Sequence, residues 1–131
     1  VKLLLDTHIW LWALIEPDRL SRPVRRRLEA AGTETWLSPI SLWEAALLAE
    51  RGRIELDRPV TEWIRHQLVA APMRDAPLTR EVALHSRAVT LPHEDPADRF
   101  LAATAAVHNL TLVTADERLW AGQGYEVLRN A

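Results

Sequence analysis

Leu3-Leu4-Leu5 runs directly into Asp6, and the same arrangement recurs twice: Thr35-Trp36-Leu37 ends at Ser38, and Leu110 to Val113 ends at Thr114. Apolar runs this short suit buried strands rather than helices, whereas the stretches between them carry helix punctuation. Ile9 to Leu14 reads as a helix ending near Pro17. Ser21 caps a second, with Pro23 in its first turn and Gly32 closing it. Ser38-Pro39 supplies a cap and a proline at the first helical position, and the apolar stretch from Ile40 to Ala49 continues as a helix to about Gly52. Two more helices are predicted over 59–71 and 79–90, separated by Pro72 and Pro77 with Met73 to Leu78 as a loop, and Asp95-Pro96 opens another that runs to about Asn109. A short helix from Ala115 to Trp120 and an edge strand from Tyr125 to Leu128 complete the pattern. Strands alternating with helices predict an α/β fold: βα units around a largely parallel sheet covered on both faces.

The 131 residues, 48% of them hydrophobic, suit a single domain spanning 1–131. A chain of this length buries roughly two thirds of its unfolded surface. Charged residues make up 26% and the net charge is -2, which argues against disorder and against a generically basic nucleic-acid coat. Any polyanion must therefore be met locally. Lys2 is the only lysine among 16 basic residues, so the rest are arginines. With no cysteine, disulfides, thiolate metal sites and cysteine nucleophiles are excluded. The first apolar run stops at Asp6, short of a signal-peptide core, and no stretch approaches a membrane span; a soluble cytoplasmic protein is the expectation. His8, His66, His85, His93 and His108 lack the spacing of a zinc site, and His8 and His93, near the expected cleft, read as surface polar groups or as substrate contacts. No phosphate-cradling glycine motif occurs.

In open parallel sheets ligands collect beyond the carboxyl ends of the strands, so acids at those junctions come first. Asp6 ends the first strand, where it also fits a cap for the helix beginning near His8. Glu44 is the only acid between Ile40 and Ala49, on a largely apolar helix, where a carboxylate needs a partner: Ser41, an arginine or a metal. Asp95 fits a helix cap and Asp98 the third helical position, with Phe100, Leu101, Ala103, Thr104 and Val107 burying that helix. Thr114 and Glu117 have capping-box spacing, which leaves Asp116 spare to face Asp6. Brought together, Asp6, Glu44, Asp98 and Asp116 would repel one another unless a hard cation neutralised them, and oxygen-only ligands suit Mg²⁺ or Mn²⁺. Such ions cleave phosphodiesters by activating water and polarising phosphate.

The segments LLLDTHIWLWAL at 3–14, SPISLWEAALL at 38–48, HEDPADRFLAATA at 93–105 and LVTADERL at 112–119 together resemble the PIN-domain family, in particular the VapC-type toxins of bacterial toxin–antitoxin pairs. The resemblance implies a three-layer α/β/α sandwich with a mainly parallel sheet and a Mg²⁺- or Mn²⁺-dependent endoribonuclease. It places the metal pocket on Asp6, Glu44, Asp98 and Asp116. It further implies a cognate antitoxin, a homodimer, and promoter DNA bound only through the antitoxin. His8 after Thr7 occurs in only part of the family. Thr114 is expected to fix Asp116 or meet phosphate; Arg99 pairs with an acid or phosphate, or ties its helix to the sheet. Trp10, Trp12 and Trp43 read first as core and second as an antitoxin or dimer surface. Two rival readings differ in chemistry: a catalytically inactive PIN-like binding module, and a receiver-type phospho-switch, against which stands the absence of any lysine beyond Lys2. An aspartyl phosphatase would want DxD where this strand ends Asp6-Thr7-His8.

Overall fold

The computed structural model describes residues 1–131. Five strands, β1 (Lys2–Leu5), β2 (Glu34–Leu37), β3 (Arg74–Asp75), β4 (Thr111–Thr114) and β5 (Glu126–Arg129), form one sheet in the order β3-β2-β1-β4-β5. Every pairing is parallel. Seven helices accompany them: α1 (Thr7–Ile15), α2 (Arg22–Glu29), α3 (Pro39–Glu50), α4 (Val60–Ala70), α5 (Arg80–Ala88), α6 (Pro96–His108) and α7 (Glu117–Trp120).

The period-2 geometry of strands sorts the core into two layers. Leu3 and Leu5 join Leu37 and Val113 beneath Ile9, Trp10, Val24, Ala45 and Trp63, so α1 to α4 cover one face. Leu4 and Leu112 join Leu101, Ala102, Ala105 and Leu119, so α6 and α7 cover the other. The three leucines of β1 are at most 3% exposed, as a central strand clad on both sides requires. The result is the three-layer α/β/α sandwich with a parallel sheet.

After β1 the chain moves to β2 and β3 on one side, then returns across to β4 and β5 on the other. The reversal lies between β1 and β4, where the carboxyl ends of the strands bring Asp6 and Thr114 together.

Several local expectations shift. The loop over Met73 to Leu78 contains the two-residue edge strand β3, paired Trp36 to Arg74 and Leu37 to Asp75, too brief to leave an apolar signature. Val107 is 37% exposed rather than core, and Trp43 is 55% exposed while Trp10 is buried. The capping box at Thr114 and Glu117 does not form. Asp116 itself caps α7, accepting from the Arg118 amide at 2.9 Å, and Glu117 is the first helical residue.

Arg99, 6% exposed, ties α6 to the end of α5 rather than to the sheet. Its Nε donates to the Ser86 carbonyl at 2.8 Å, one Nη to Val89 at 2.7 Å and the other to His93 at 3.3 Å. These oxygens belong to, or follow, the last turn of α5, which lacks intrahelical partners and carries the negative end of the helix dipole. Arg99→Ala strips a buried charge from several buried carbonyls, so a loss of about 3 kcal/mol is expected. Arg99→Lys should recover only part of it, because one ammonium cannot reach three divergent carbonyls. Chemical denaturation of both variants measures this; an alanine variant as stable as wild type would refute the clamp.

Candidate active site

Each sequence-predicted acid reaches the crevice through its own element. Asp6 is the N-cap of α1: Oδ1 accepts from the Thr7 amide at 2.7 Å, while Oδ2 accepts from the Thr114 hydroxyl at 2.7 Å. Thr114 Oγ1 also accepts from the Asp116 amide at 3.0 Å, so one hydroxyl fixes both acids of the β1/β4 crevice. Capping and site geometry are here the same interaction.

Glu44 sits on α3, whose start is set by Ser38 accepting from the Ile40 amide at 3.1 Å. Its carboxylate finds neither Ser41 nor an arginine directly. Instead Thr7 Oγ1 donates to Glu44 Oε1 at 2.6 Å and lies 2.9 Å from Ser41 Oγ. Thr7, 1% exposed, is a residue that sequence reasoning missed, since nothing in Asp6-Thr7 distinguishes a threonine spanning to α3 from an ordinary first helical residue.

Asp98 is held at the start of α6, where Asp95 accepts from its amide at 3.2 Å as the cap. Asp98 Oδ2 lies 2.7 Å from His93 Nε2. His93 is thus not a surface group: its side chain is 13% exposed, and its Nδ1 is buried without a partner. Asp98 and Arg99, adjacent in sequence, grip the same residue from two sides, the ring by the carboxylate and the carbonyl by the guanidinium. His8, by contrast, is exposed as expected.

Asp116 does not point freely at Asp6. Arg118 Nε meets its Oδ1 at 3.2 Å and Nη2 its Oδ2 at 3.0 Å, and the same Nη2 stands 3.7 Å from Asp98 Oδ2. The structure therefore brings Asp6, Glu44, Asp98 and Asp116 to one cavity of about 360 Å³, with Asp95, His8, Trp12 and Arg118 on its walls.

The electrostatics follow from burial. Asp6 is pushed above the usual carboxylate range by desolvation, against the Thr114 hydrogen bond. Desolvation raises Glu44 to about 7, with Asp6, Asp98 and Asp95 adding repulsion against the Thr7 hydrogen bond. Asp98 rises to about 6 by desolvation and by the charges of Asp95, Asp6 and Asp116, against His93. For Asp116, burial pushes upward but the Arg118 hydrogen bonds and charge outweigh it, and its pKa falls. The donor set is thus oxygen-rich, crowded and short of positive charge. Ligand atoms of His93, Asp98 and Asp116 lie within 4.8 Å of one another, close enough to share one ion.

The PIN-domain family profile matches residues 3–121, and the chain belongs to that family. Among its relatives is Ribonuclease VapC22 of Mycobacterium tuberculosis, 43% identical over 119 residues that cover 88% of each chain. The fold is similar to a chain of VapBC2 from Rickettsia felis, solved bound to a promoter DNA fragment (TM-score 0.73, 16% identity, 98% of each chain covered). It is also similar to a chain of DNA-bound VapBC from Salmonella typhimurium (TM-score 0.69, 18% identity, 100% of this chain and 99% of that one).

Because Asp6, Glu44 and Asp98 bind protons more tightly folded than unfolded, their linkage favours the folded state most at low pH and fades as pH rises through about 6 and 7. With a chelator present, the melting temperature should fall between pH 5.5 and 8, and Glu44→Gln should flatten the fall. Scanning fluorimetry across that range decides it; a wild-type melting temperature that climbs toward pH 8 would contradict the arrangement.

Proposed function

We propose that this chain is a Mg²⁺- or Mn²⁺-dependent endoribonuclease that hydrolyses RNA phosphodiester bonds as the toxin of a toxin–antitoxin pair, with the metal held by Asp6, Glu44, Asp98 and Asp116. The observation that carries the reading is the convergence of these acids, three of them raised in pKa, on one crevice at the sheet's switch point. An enclosure that keeps carboxylates together against their repulsion fits a hard divalent cation. Relationship to a protein named as a ribonuclease supports the activity.

Bound there, the ion supplies water activation and phosphate polarisation. The protein's own groups supply placement. Thr114 and the Thr7 amide hold both oxygens of Asp6, Thr7 orients Glu44, and His93 fixes one oxygen of Asp98. Arg118, its side chain 57% exposed at the rim, pairs with Asp116 and presents a donor fork suited to a phosphate oxygen.

The partners proposed are RNA, a cognate antitoxin and a second copy of the chain, with promoter DNA reached only through the antitoxin. Support comes from the similar folds solved as VapBC with DNA and as a toxin–antitoxin complex from Klebsiella pneumoniae.

Asp98→Asn keeps size and folding but removes the anionic ligand, so metal-dependent cleavage of structured RNAs should fall by orders of magnitude. Asp95→Asn, which retains a capping side chain, should keep most activity and lose about 1 kcal/mol or less. Cleavage that survives in folded Asp98→Asn, or in the presence of a chelator, would overturn the metal-nuclease reading. Co-expression with the adjacent reading frame should copurify an antitoxin, and light scattering should show a dimer at micromolar concentration.

A further inference from the structure

The acidic crevice leaves a question of substrate capture, since a chain of net charge -2 with five carboxylates lining its site repels a polyanion. The α2 helix carries the opposite charge. Arg22, Arg25, Arg26 and Arg27 are all exposed on it, while Val24 and Leu28 pack inward. At 100° per residue Arg22, Arg25 and Arg26 share the outward stripe at i, i+3 and i+4. None of the four makes an ion pair; the nearest one in sequence is Arg19 to Glu16, and Glu29, one turn on from Arg25, engages neither it nor Arg26.

Folding does not account for this stripe. Like charges at these spacings repel, and Arg22 occupies the first turn, where the helix dipole disfavours a cation and no acid offsets it. A local conflict of that kind, on a helix that needs only Val24 and Leu28 to stay docked, marks a surface kept for a ligand.

The stripe is also held in register with the crevice. Asn130 is the link: its amide donates to the Thr114 carbonyl at 2.9 Å, its Oδ1 accepts from the Ser21 amide at 2.6 Å, and its Nδ2 donates to the Arg19 carbonyl at 3.1 Å. Ser21 is the N-cap of α2, and Thr114 is the residue whose hydroxyl holds Asp6. On the other side Arg19 stacks over Trp12 at 4.3 Å, and Trp12 lines the crevice. The N-terminus of the basic helix is therefore tied through Asn130 to the residue that holds Asp6.

We propose that the Arg22, Arg25 and Arg26 face of α2 binds the phosphodiester backbone of RNA flanking the bond to be cut. The proposal rests on the ribonuclease reading above. The contact is to phosphate rather than base, so it adds affinity without sequence preference and supplies the attraction that the crevice lacks.

The test uses the 131-residue chain carrying Arg22→Gln, Arg25→Gln and Arg26→Gln together, with a melt to show that it folds. Binding of a labelled structured RNA is followed by fluorescence anisotropy in the Asp98→Asn background across a salt series. The triple variant should bind at least tenfold more weakly, and the slope of log K against log salt should shrink by about 2 to 3, as expected for three lost phosphate contacts. The triple lysine variant should restore most of the affinity. In the otherwise wild-type chain, cleavage of a tetranucleotide that fills only the crevice should be unchanged, while kcat/KM for the long RNA falls. An unchanged affinity and slope, a loss shared by the tetranucleotide, or no rescue by lysine would overturn the proposal. So would loss of antitoxin copurification with RNA affinity intact, which would assign the face to a protein partner. If the wild type cleaves neither substrate, the nuclease reading fails, while the anisotropy result still decides whether α2 binds RNA.

Discussion

The hydroxyl of Thr114 is the hinge on which the site turns. It donates to Asp6 Oδ2 and accepts from the Asp116 amide, so it joins the last residue of β4 to the residue after β1 and to the cap of α7. Behind it, the Asp6 amide donates to the Val113 carbonyl at 3.0 Å, continuing the β1/β4 ladder by one more rung. Two strands distant in sequence but adjacent at the switch point are thereby locked in register, and the acids at their ends inherit that register. The Trp120 indole and the Asn130 amide both reach the Thr114 carbonyl at 2.9 Å, so the C-terminal segments close on the same residue. A buried, fully engaged polar group of this kind specifies one arrangement, because any slip leaves several donors and acceptors unpaired at once.

Much of this was legible in the sequence, for identifiable reasons. Short apolar runs ending in polar residues gave the three central strands, and Ser21, Ser38 and Asp95 cap the helices assigned to them because capping is a local interaction of adjacent residues. The four acids could be located because strand ends and helix starts converge on one edge of a parallel sheet. What escaped depended on contacts made only in the folded chain. Thr7 reaches Glu44 across 37 positions, and His93 meets Asp98 because Arg99 fixes the turn that carries it; no local pattern encodes either contact. At Asp116 the error was a competition between two caps of similar sequence signature. Thr114 was already committed to Asp6, which left Asp116 to cap α7.

The acids also show how stability and chemistry oppose each other here. Leu3, Leu4, Ile9 and Leu112 are fully buried in the two core layers, and Asp6 at the end of β1 is only 8% exposed. Desolvation is the largest influence on Asp6, Glu44 and Asp98, ahead of any neighbouring charge. The apolar layers therefore do more than hold the sheet together: they disfavour ionisation of the carboxylates gathered at its edge.

The abundance of arginine can be judged by what each one touches. Arg99 uses divergent N–H groups on separate carbonyls, and Arg118 engages both oxygens of Asp116 through Nε and Nη2; both exploit the planar fork, which lysine lacks. The exposed arginines of α2 form no side-chain hydrogen bond or ion pair within the chain and would serve as well if they were lysines. A compositional bias toward arginine explains the residue type at the last group but not at the first two, and it explains the clustering of charge at none of them. Position in the fold, rather than abundance, separates the arginine that holds the scaffold, the one that pairs with Asp116 at the crevice, and those left facing solvent on α2.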